Sequence, residues 1–436
     1  MKRLENCELK PLVDIRPFKA IRYTSKAGDI ENLITQPYDK IDTKMQKEYY
    51  ANSLYNYCRL ILPIEQNKYE VANQRILQWL EEGIMAKEIQ PVIFVSCQEF
   101  LLDGKKHART GIIAAMRLYV YSENMVFPHE ATYKTPKADR LNMLRTVQKD
   151  LEPVFLIYQD HEKKTIAFLE ETAKTKPVIQ VTDSLGVKQT VWSVTDPQKI
   201  KQLQTVLSTK TMVITDGHHR YESAIVYRDE MRNKGNWTEN SAFNFQMSYL
   251  VPVEEEGLIV LPTHRLLKNY KLTDDLLKVF KFFFEVQEIE PTVDGIESFL
   301  KNHVNEHAFC IYDGSKAYGL ILKHDKAVYE FVNANVSKET KIFDVVILRD
   351  IVFKFILKTA ELNIEDNILY VRWTKTAVEK VNQGEASIAF LVNPISAKTV
   401  VEIAQQHELL PEKTTDFYPK IVSGLMMMDI SASEKL

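Results

Sequence analysis

The stretch Thr211-Met-Val-Ile-Thr-Asp-Gly-His-His-Arg-Tyr-Glu222 joins a short apolar run, a glycine turn and the start of a helical pattern. The apolar run predicts a β-strand, and the pattern that continues through Ala224, Ile225 and Tyr227 predicts a helix. A strand, a tight turn and a helix N-terminus direct free backbone N–H groups outward, and such a place binds anions, above all phosphate. We therefore expect an anion site at Gly217.

The side chains around this glycine strengthen that interpretation. Arg220 can add bidentate contacts to a phosphate, and His218 and His219 can donate hydrogen bonds or carry protons. A plainer alternative is an ordinary turn in which Asp216 caps the next helix. We expect no metal site from this segment alone, because neighbouring helical side chains point about 100° apart and no His-x-x-x-His spacing is present.

Composition limits the other functions. A chain of 436 residues predicts two or three domains, and 45% hydrophobic with 26% charged residues is typical of a globular protein. A formal net charge of -3 argues against a strongly basic nucleic-acid surface. The four cysteines show no C-x-x-C spacing, which predicts neither a zinc ribbon nor a disulfide framework. No run approaches the ~18 apolar residues of a membrane helix, and we expect a cytoplasmic protein.

The elements along the chain predict an α+β (mixed α/β) fold with some βα units rather than a regular βαβ series. Val92–Leu102 and Thr110–Tyr121 are strand-like and flank Asp103-Gly104, which predicts a hairpin. The polar, turn-rich segment at 232–239 is the candidate boundary. We therefore predict one domain over residues 1–242 and a second α+β domain over residues 243–436.

A second polar cluster lies upstream, in Pro128-His-Glu-Ala-Thr-Tyr-Lys134, and is followed by Asp139-Arg140. A carboxylate beside a histidine suits general-base catalysis, which makes Glu130 a candidate base. The alternative is that Glu130 is only a capping or solvent-facing acid. Pro37-Tyr-Asp39 similarly predicts a turn whose carboxylate is either catalytic or purely structural.

A third cluster, Lys413-Thr-Thr-Asp-Phe-Tyr-Pro-Lys420, stands near the C-terminus. A lysine, two hydroxyl groups and aromatic rings in a short loop can clamp an anion or close over a site. The alternative is a rigid connection with Phe417 and Tyr418 packed inward. The sequence leaves these two interpretations open.

These motifs together resemble a known family. The run Asp216–Glu222 resembles the second signature box of the ParB-like superfamily, which includes chromosome-partitioning ParB proteins, sulfiredoxins and free serine kinases. The whole set resembles an uncharacterised-domain family of bacteria and archaea, loosely labelled SpoOJ/ParA/ParB/RepB-like. The segments that carry this resemblance are Arg16-Pro-Phe18, Pro37-Tyr-Asp39, Pro128-His-Glu130, Asp139-Arg140, Leu261-Pro-Thr-His-Arg265, Asp216–Glu222 and Lys413–Lys420. The resemblance implies a ParB/sulfiredoxin-like core with an inserted segment and an additional C-terminal α+β domain.

Through the free serine kinases the resemblance implies a nucleotide-dependent kinase that phosphorylates free L-serine to O-phosphoserine, using ATP or ADP with Mg²⁺. By that similarity, Glu130 matches the catalytic glutamate that takes the hydroxyl proton. Asp216 and His218 complete the predicted catalytic group, and Gly217, His218, His219 and Arg220 match the phosphate-binding box. The side chains predicted to contact the substrate are Asp39, His129, Thr132, Arg140, Lys413, Thr414 and Thr415.

The chain departs from the compact kinases in two ways. About 86 residues separate Glu130 from Asp216, and the half of the chain from about Phe243 has no counterpart in them. One alternative is therefore a ParB-like nucleotide-binding switch or DNA-associated protein without kinase activity. Another is a sulfiredoxin-like activity, which needs a reactive cysteine beside the box. The acceptor, the choice between ATP and ADP, and the oligomeric state stay open.

Overall fold

The structure is a computed structural model that describes residues 12–130, 134–323, 329–332, 337–358, 367–411 and 413–436. The chain forms two compact units. The first unit contains Met1–Pro128, Thr132–Ile259 and Pro419–Leu436. The second contains His129–Ala131 and Val260–Tyr418.

This division differs from the predicted boundary between residues 242 and 243. The strand Phe245–Pro252 lies beyond that boundary, yet it pairs with Lys105–Arg117 and Val154–Tyr158 in the first unit. The C-terminal segment Pro419–Leu436 also returns to the first unit, where Met428–Asp429 pairs with Lys149–Asp150. Backbone pairing between distant segments, rather than the polar loop at 232–239, therefore sets the limits of the units.

A large mixed sheet is the centre of the first unit. The antiparallel hairpin predicted around Asp103-Gly104 is confirmed, with both turn residues at positive φ, which matches the right-handed twist of its strands. Ile15–Arg16 pairs with the second hairpin strand. The order of the other strands is Val126–Phe127, Met212–Asp216, Val154–Tyr158, Phe245–Pro252, Lys105–Arg117, Ile93–Leu102, Lys188–Val194 and Ile179–Thr182.

Helices surround this sheet. Trp79, Met143 and Met427 belong to one buried apolar cluster, so the C-terminal segment contributes to the core of the first unit. A small antiparallel pair joins Ile21–Tyr23 to Met85–Lys87. The α-helices span Thr43–Asn52, Cys58–Ile61, Lys68–Glu81, Lys134–Val147, Lys164–Ala173, Pro197–Ser208 and His218–Asn233, and 3₁₀ turns lie at Ser25–Ala27, Ile30–Asn32, Tyr38–Lys40, Tyr121–Glu123 and Ala242–Asn244.

The second unit has its own sheet and core, in which Phe299, Tyr312 and Leu391 are buried together. Its sheet follows the order Phe284–Ile289, Ala317–Leu322, Ala308–Tyr312, Ile388–Val392, His264–Leu267 and Ile368–Val371. Short strands lie at Ile259–Leu261 and Asp416–Tyr418. The helices are Asp274–Phe283, Val293–Asn302, Lys338–Lys341, Asp344–Ile347, the π-helix Leu348–Ile356, Thr374–Asn382 and Ala397–Gln405.

The predicted α+β class is confirmed, because both units combine helices with predominantly antiparallel sheets. Within the described part of the chain, no helix has the length and apolar character that a membrane crossing requires.

Candidate functional site

The predicted strand, turn and helix are present at Gly217. The strand Met212–Asp216 ends at this glycine, and the helix His218–Asn233 begins directly after it. Gly217 has φ 93° and ψ 27°, a left-handed conformation that favours glycine. A Cβ atom here would lie 2.9 Å from Nε of Arg220, so the residue has no room for a side chain unless Arg220 moves. The turn therefore needs glycine for two independent reasons.

Asp216 and Arg220 form a buried ion pair beside this turn. Nη2 of Arg220 donates to Oδ2 of Asp216 at 2.7 Å, and Nη1 donates to the carbonyl oxygen of Pro153 at 2.6 Å. The Arg220 side chain is 10% exposed and the Asp216 side chain is 15% exposed. Gly217 occupies the N-cap position and no side chain caps the helix, so Asp216 does not have the capping role that the plainer interpretation gave it. Its carboxylate instead binds cations.

Lys420 is the second cation on Asp216. Its Nζ lies 3.2 Å from Oδ1 of Asp216, and its side chain is 8% exposed. Burial alone would raise the pKa of Asp216, but the positive charges of Lys420, Arg220 and Lys40 outweigh burial and hold that pKa well below its usual range. We call Asp216, Arg220 and Lys420 the cation cluster.

The turn Tyr38–Lys40 contributes to the electrostatics of the cation cluster. The backbone N–H of Tyr38 donates to Oε1 of Glu152 at 3.1 Å. Burial would lower the pKa of Arg220, yet the negative charges of Glu152, Asp216 and Asp39 raise it above its ordinary value. The predicted residue Asp39 is thus one of the charges that act on Arg220.

Arg140 and Arg220, both predicted site residues, line one pocket of the first unit. The guanidinium of Arg140 lies 3.9 Å from the centre of the Tyr38 ring, and its Nε donates to Asp139 at 3.0 Å. Burial would raise the pKa of Asp139, but Arg140 and Lys68 lower it to about 2. The lining residues are Arg140, Met143, Leu144, Lys149, Asp150, Leu151, Glu152, Arg220 and Gln246.

Asp150 in this pocket differs from Asp216. It accepts a hydrogen bond from the backbone N–H of Met247 at 2.7 Å and another from the Gln246 amide. Burial dominates over these hydrogen bonds and raises the pKa of Asp150 to about 7. One pocket of the first unit therefore holds a carboxyl group that titrates near neutrality.

Glu130 and His129 lie in the second unit with residues of the third motif. Oε1 of Glu130 accepts from the backbone N–H groups of Thr414 at 3.2 Å and Thr415 at 3.4 Å, and from the Thr415 hydroxyl at 3.3 Å. Nε2 of His129 lies 2.8 Å from the Thr415 hydroxyl oxygen and 3.5 Å from Oε1 of Glu130. His129 is 1% exposed, whereas the Glu130 side chain is 18% exposed. We call His129, Glu130, Thr414 and Thr415 the carboxylate loop.

The other predicted residues are placed as follows. Lys413 stands at positive φ at the start of the carboxylate loop segment, and its carbonyl oxygen lies 3.5 Å from Nη2 of Arg265. His218 is 8% exposed and His219 is half-buried, both in the first turn of the helix after Gly217. Thr132 lies outside the described residues. Among the residues that the structure describes, no group of three or more His, Cys, Asp or Glu side chains could hold a metal.

Sequence reasoning missed three contributors to the cation cluster. Lys420 ends the third motif, Lys413–Lys420, and is not among the site residues that the sequence predicts. Gln98 and Arg109 face each other across the hairpin, and both are buried. Polar residues at paired, inward positions of a buried hairpin are the signal that could have found them, because such groups need partners.

Comparison with known proteins gives a family. A family model described as "Protein of unknown function (DUF1015)" matches residues 15–346. The chain belongs to this family. The matched DUF1015 region includes both Glu130 and the Asp216–Arg220 box, and it ends before Lys413 and Lys420. No curated protein matches the chain.

Solved structures with low similarity to this DUF1015 chain include a mutant free serine kinase in complex with ADP. The sequence identity is 14% and the TM-score is 0.35, and the match covers 72% of this chain and 91% of that chain. A conserved hypothetical protein from Pyrococcus furiosus has 16% identity and a TM-score of 0.32, with 69% and 92% covered. C-terminally truncated SbnI from Staphylococcus aureus has 9% identity and a TM-score of 0.34, with 70% and 84% covered.

Proposed function

We propose that this protein is a nucleotide-dependent small-molecule kinase that phosphorylates free L-serine to O-phosphoserine. The observation that carries the proposal is the cation cluster at a glycine-opened helix N-terminus. Two buried cations and the N-terminal end of a helix dipole favour a bound phosphate. The motif resemblance to free serine kinases supplies the class of reaction.

The nucleotide phosphates would bind at the turn around Gly217. Arg220 and Lys420 both bind Asp216, and Nε of Arg220 is buried without a hydrogen-bond partner, so Arg220 can still donate to a phosphate. The absence of a Cβ atom at Gly217 lets the Arg220 guanidinium lie against the turn where the phosphate would bind. His218 and His219 stand in the first helical turn and are the proposed further donors.

Glu130 is the proposed general base. In phosphoryl transfer the protein mainly positions the groups and neutralises charge, so a carboxylate that orients the serine hydroxyl is sufficient. The hydroxyl proton passes to Glu130, the serine oxygen bonds to the terminal phosphorus, and the nucleotide leaves with one phosphate fewer. His129 and the Thr414–Thr415 backbone fix the Glu130 carboxylate. The roles of Asp39, Arg140 and Lys413 in binding serine are part of the same proposal.

The chain's own residues offer few ligands for Mg²⁺. Magnesium sites in nucleotide enzymes use one or two carboxylates together with substrate phosphates and waters. Asp216 is ionised, but both its oxygens are bound by Arg220 and Lys420, so it does not fit the first role while those contacts hold. Mg²⁺ bound with the nucleotide would neutralise phosphate charge.

A nucleotide-binding switch without phosphoryl transfer is a second candidate, and one contact favours it. Oε1 of Glu130 already accepts three hydrogen bonds from Thr414 and Thr415. A carboxylate bound in this way can hold a loop without acting as a base. In that case the cation cluster would still bind nucleotide, and Glu130 would only shape the carboxylate loop.

A sulfiredoxin-like reaction has less support. Cys58, Cys97 and Cys310 are buried, and burial raises the pKa of the Cys58 thiol to about 12. A thiol in such surroundings stays protonated and is a poor nucleophile. Cys7 lies outside the described residues.

The test is a screen of the purified protein with ATP or ADP, Mg²⁺ and pooled amino acids, read by phosphorus NMR and mass spectrometry. We expect a phosphomonoester whose mass corresponds to O-phosphoserine, formed with either nucleotide and absent with Arg220→Ala. Nucleotide binding without any phosphorylated product would favour the switch. Thiol blocking should leave product formation unchanged, and its loss would favour the sulfiredoxin-like reaction.

A further inference from the structure

The C-terminal segment Pro419–Leu436 is built into the first unit rather than attached to its surface. Thr35 and Ser423 exchange backbone hydrogen bonds, and the Ser423 hydroxyl donates to Glu152 at 2.6 Å. Met427 bonds with the backbone of Ile21 and is fully buried. The position of Lys420 within the first unit is therefore fixed from the downstream side.

Two polar side chains hold the segment directly at Lys420. Nε2 of Gln98 donates to the Lys420 carbonyl oxygen at 3.0 Å, and Nη2 of Arg109 donates to the Pro419 carbonyl oxygen at 2.5 Å. Arg109 also donates to Oε1 of Gln98, which couples the two contacts. We call Gln98 and Arg109 the backbone clamp.

The backbone clamp places a buried guanidinium group against the C-terminal segment. Arg109 is 0% exposed and Gln98 is 1% exposed. The Arg109 guanidinium lies 4.7 Å from the centre of the Phe155 ring. Burying a charged side chain costs several kcal/mol unless it is paired, and the charges of Asp216 and Glu255 act on the Arg109 guanidinium. The Arg109 charge acts on Asp216, and the backbone clamp fixes the two peptide groups on either side of the Lys420 Cα atom.

Several charged groups act on Asp216 and on the two cations that contact it. Arg220 and Lys420 contact its two oxygens, and Lys40 and Arg109 interact with it electrostatically. Asp39 and Glu152 are the further carboxylates whose charge acts on Arg220. Nε of Arg220 is buried without a hydrogen-bond partner, which is the sign that the cluster is unfinished without a ligand.

We infer that Lys420 is a phosphate-contacting residue of the nucleotide site and that Gln98 and Arg109 position it. The inference rests on the proposed function, because it takes the anion at the cation cluster to be a nucleotide phosphate. It goes beyond the family match, which ends at residue 346, before the segment that carries Lys420. When the nucleotide binds, the Lys420 ammonium group donates a hydrogen bond to a phosphate oxygen as well as to Asp216. No covalent bond forms or breaks.

The experiment is calorimetric titration of ADP into the full-length protein and into Lys420→Met, Gln98→Glu and their double variant. Lys420→Met removes the charge with little change in length. Gln98→Glu keeps an acceptor for Arg109 but removes the donor to the Lys420 carbonyl. The matched control is Lys188→Met, which removes one lysine charge from an exposed ion pair with Glu99 on the same sheet. Circular dichroism and the melting temperature confirm that each variant folds.

We expect Lys420→Met to raise the Kd for ADP roughly 10- to 100-fold, the range of a hydrogen bond to a charged group. Gln98→Glu should raise it several-fold, and this effect should disappear in the Lys420→Met background, because the two residues act through one ammonium group. A merely structural Gln98 would lower the melting temperature in both backgrounds and leave Kd unchanged. Lys188→Met should bind ADP like the wild type.

Unchanged ADP affinity in folded Lys420→Met, together with weakened affinity in Arg220→Ala, would overturn this inference and leave the proposed function standing. If the wild type binds no ADP at all, both fail. If Lys420→Met does not fold, Lys420→Gln, which keeps a donor for Asp216, replaces it with the same two outcomes. If the effects of Gln98→Glu and Lys420→Met on the Kd for ADP are additive, Gln98 does not position Lys420. The phosphate contact of Lys420 would still stand.

Discussion

The cation cluster in the first unit and the carboxylate loop in the second use a carboxylate in opposite ways. Asp216 is bound by two side-chain cations and stays ionised because they outweigh burial. Glu130 is bound by backbone N–H groups and a threonine hydroxyl. The first arrangement places two cations beside a helix N-terminus, where an anion can bind. The second fixes the direction of one carboxylate, which is what a base requires.

The largest expected effect is on turnover, and it distinguishes the role of the carboxylate loop from that of the cation cluster. Glu130→Gln keeps the size of the side chain and removes its charge, so it should lower turnover roughly 10²- to 10⁴-fold, as expected for loss of a general base. ADP affinity should stay near that of the wild type. Single-turnover kinetics on folded, nucleotide-saturated protein measure this.

His129→Ala is the matched comparison, because His129 contacts Glu130 and Thr415 without being the proposed base. It should reduce turnover less than Glu130→Gln does. Near-normal turnover in Glu130→Gln would make Glu130 a structural residue of the carboxylate loop and leave Asp39 and Asp216 as candidate bases.

A smaller effect concerns pH and Asp150. Its folded-state pKa of about 7 exceeds the ordinary value of 3.8, so the folded protein binds the proton more tightly than the unfolded chain. Stability from this group is greatest below about pH 4 and is lost as the pH rises towards 7. Between pH 5 and 8 the loss should be roughly 2–3 kcal/mol.

Urea unfolding of the wild type and Asp150→Asn across this pH range isolates the group. The variant should lack this part of the pH dependence, and the difference between the two proteins should grow in favour of the variant as pH rises. Parallel pH profiles would show that Asp150 does not titrate between pH 5 and 8. Asp216 should give no such signal, because its charge is retained throughout that range.

The smallest expected effect tests the geometry of the turn. Gly217→Ala should lower the free energy of unfolding by roughly 1–2 kcal/mol, because alanine resists a left-handed conformation. Gly104→Ala is the control, since Gly104 has φ 72° and open space around its Cβ position. Gly217→Ala should lose more stability than Gly104→Ala, and only Gly217→Ala displaces Arg220 and weakens ADP binding. Equal ADP affinity in the two variants would separate the turn from the anion site.

Local signals predicted the local structure well. The hairpin at Asp103-Gly104 and the strand, turn and helix around Gly217 each depend on residues close in sequence, and both are confirmed. The division of the chain depends on pairing between distant strands. Nothing in Phe245–Pro252 itself shows that it lies between Lys105–Arg117 and Val154–Tyr158, so the boundary predicted near residue 242 could not anticipate it.

The candidate site shows the same limit. Asp216, Gly217 and Arg220 were predicted because the chemistry is concentrated in one short segment. Lys420 reaches Asp216 from 204 positions away in the sequence, through a C-terminal segment with no repeat or spacing that indicates its destination. Glu152 likewise contacts Tyr38 across 114 positions. Sequence identifies which residues can bind a phosphate, and long-range packing decides which of them meet.

The central claim is that the cation cluster binds the nucleotide phosphates, and calorimetric titration of ADP into wild type, Arg220→Ala and Arg220→Lys tests it most directly. Loss of the guanidinium removes a charged hydrogen-bond donor, so Arg220→Ala should raise Kd roughly 10- to 100-fold. Arg220→Lys should recover only part of the affinity, because an ammonium group cannot donate in the bidentate geometry. An unchanged Kd in folded Arg220→Ala would contradict the assignment of this cluster as the nucleotide site.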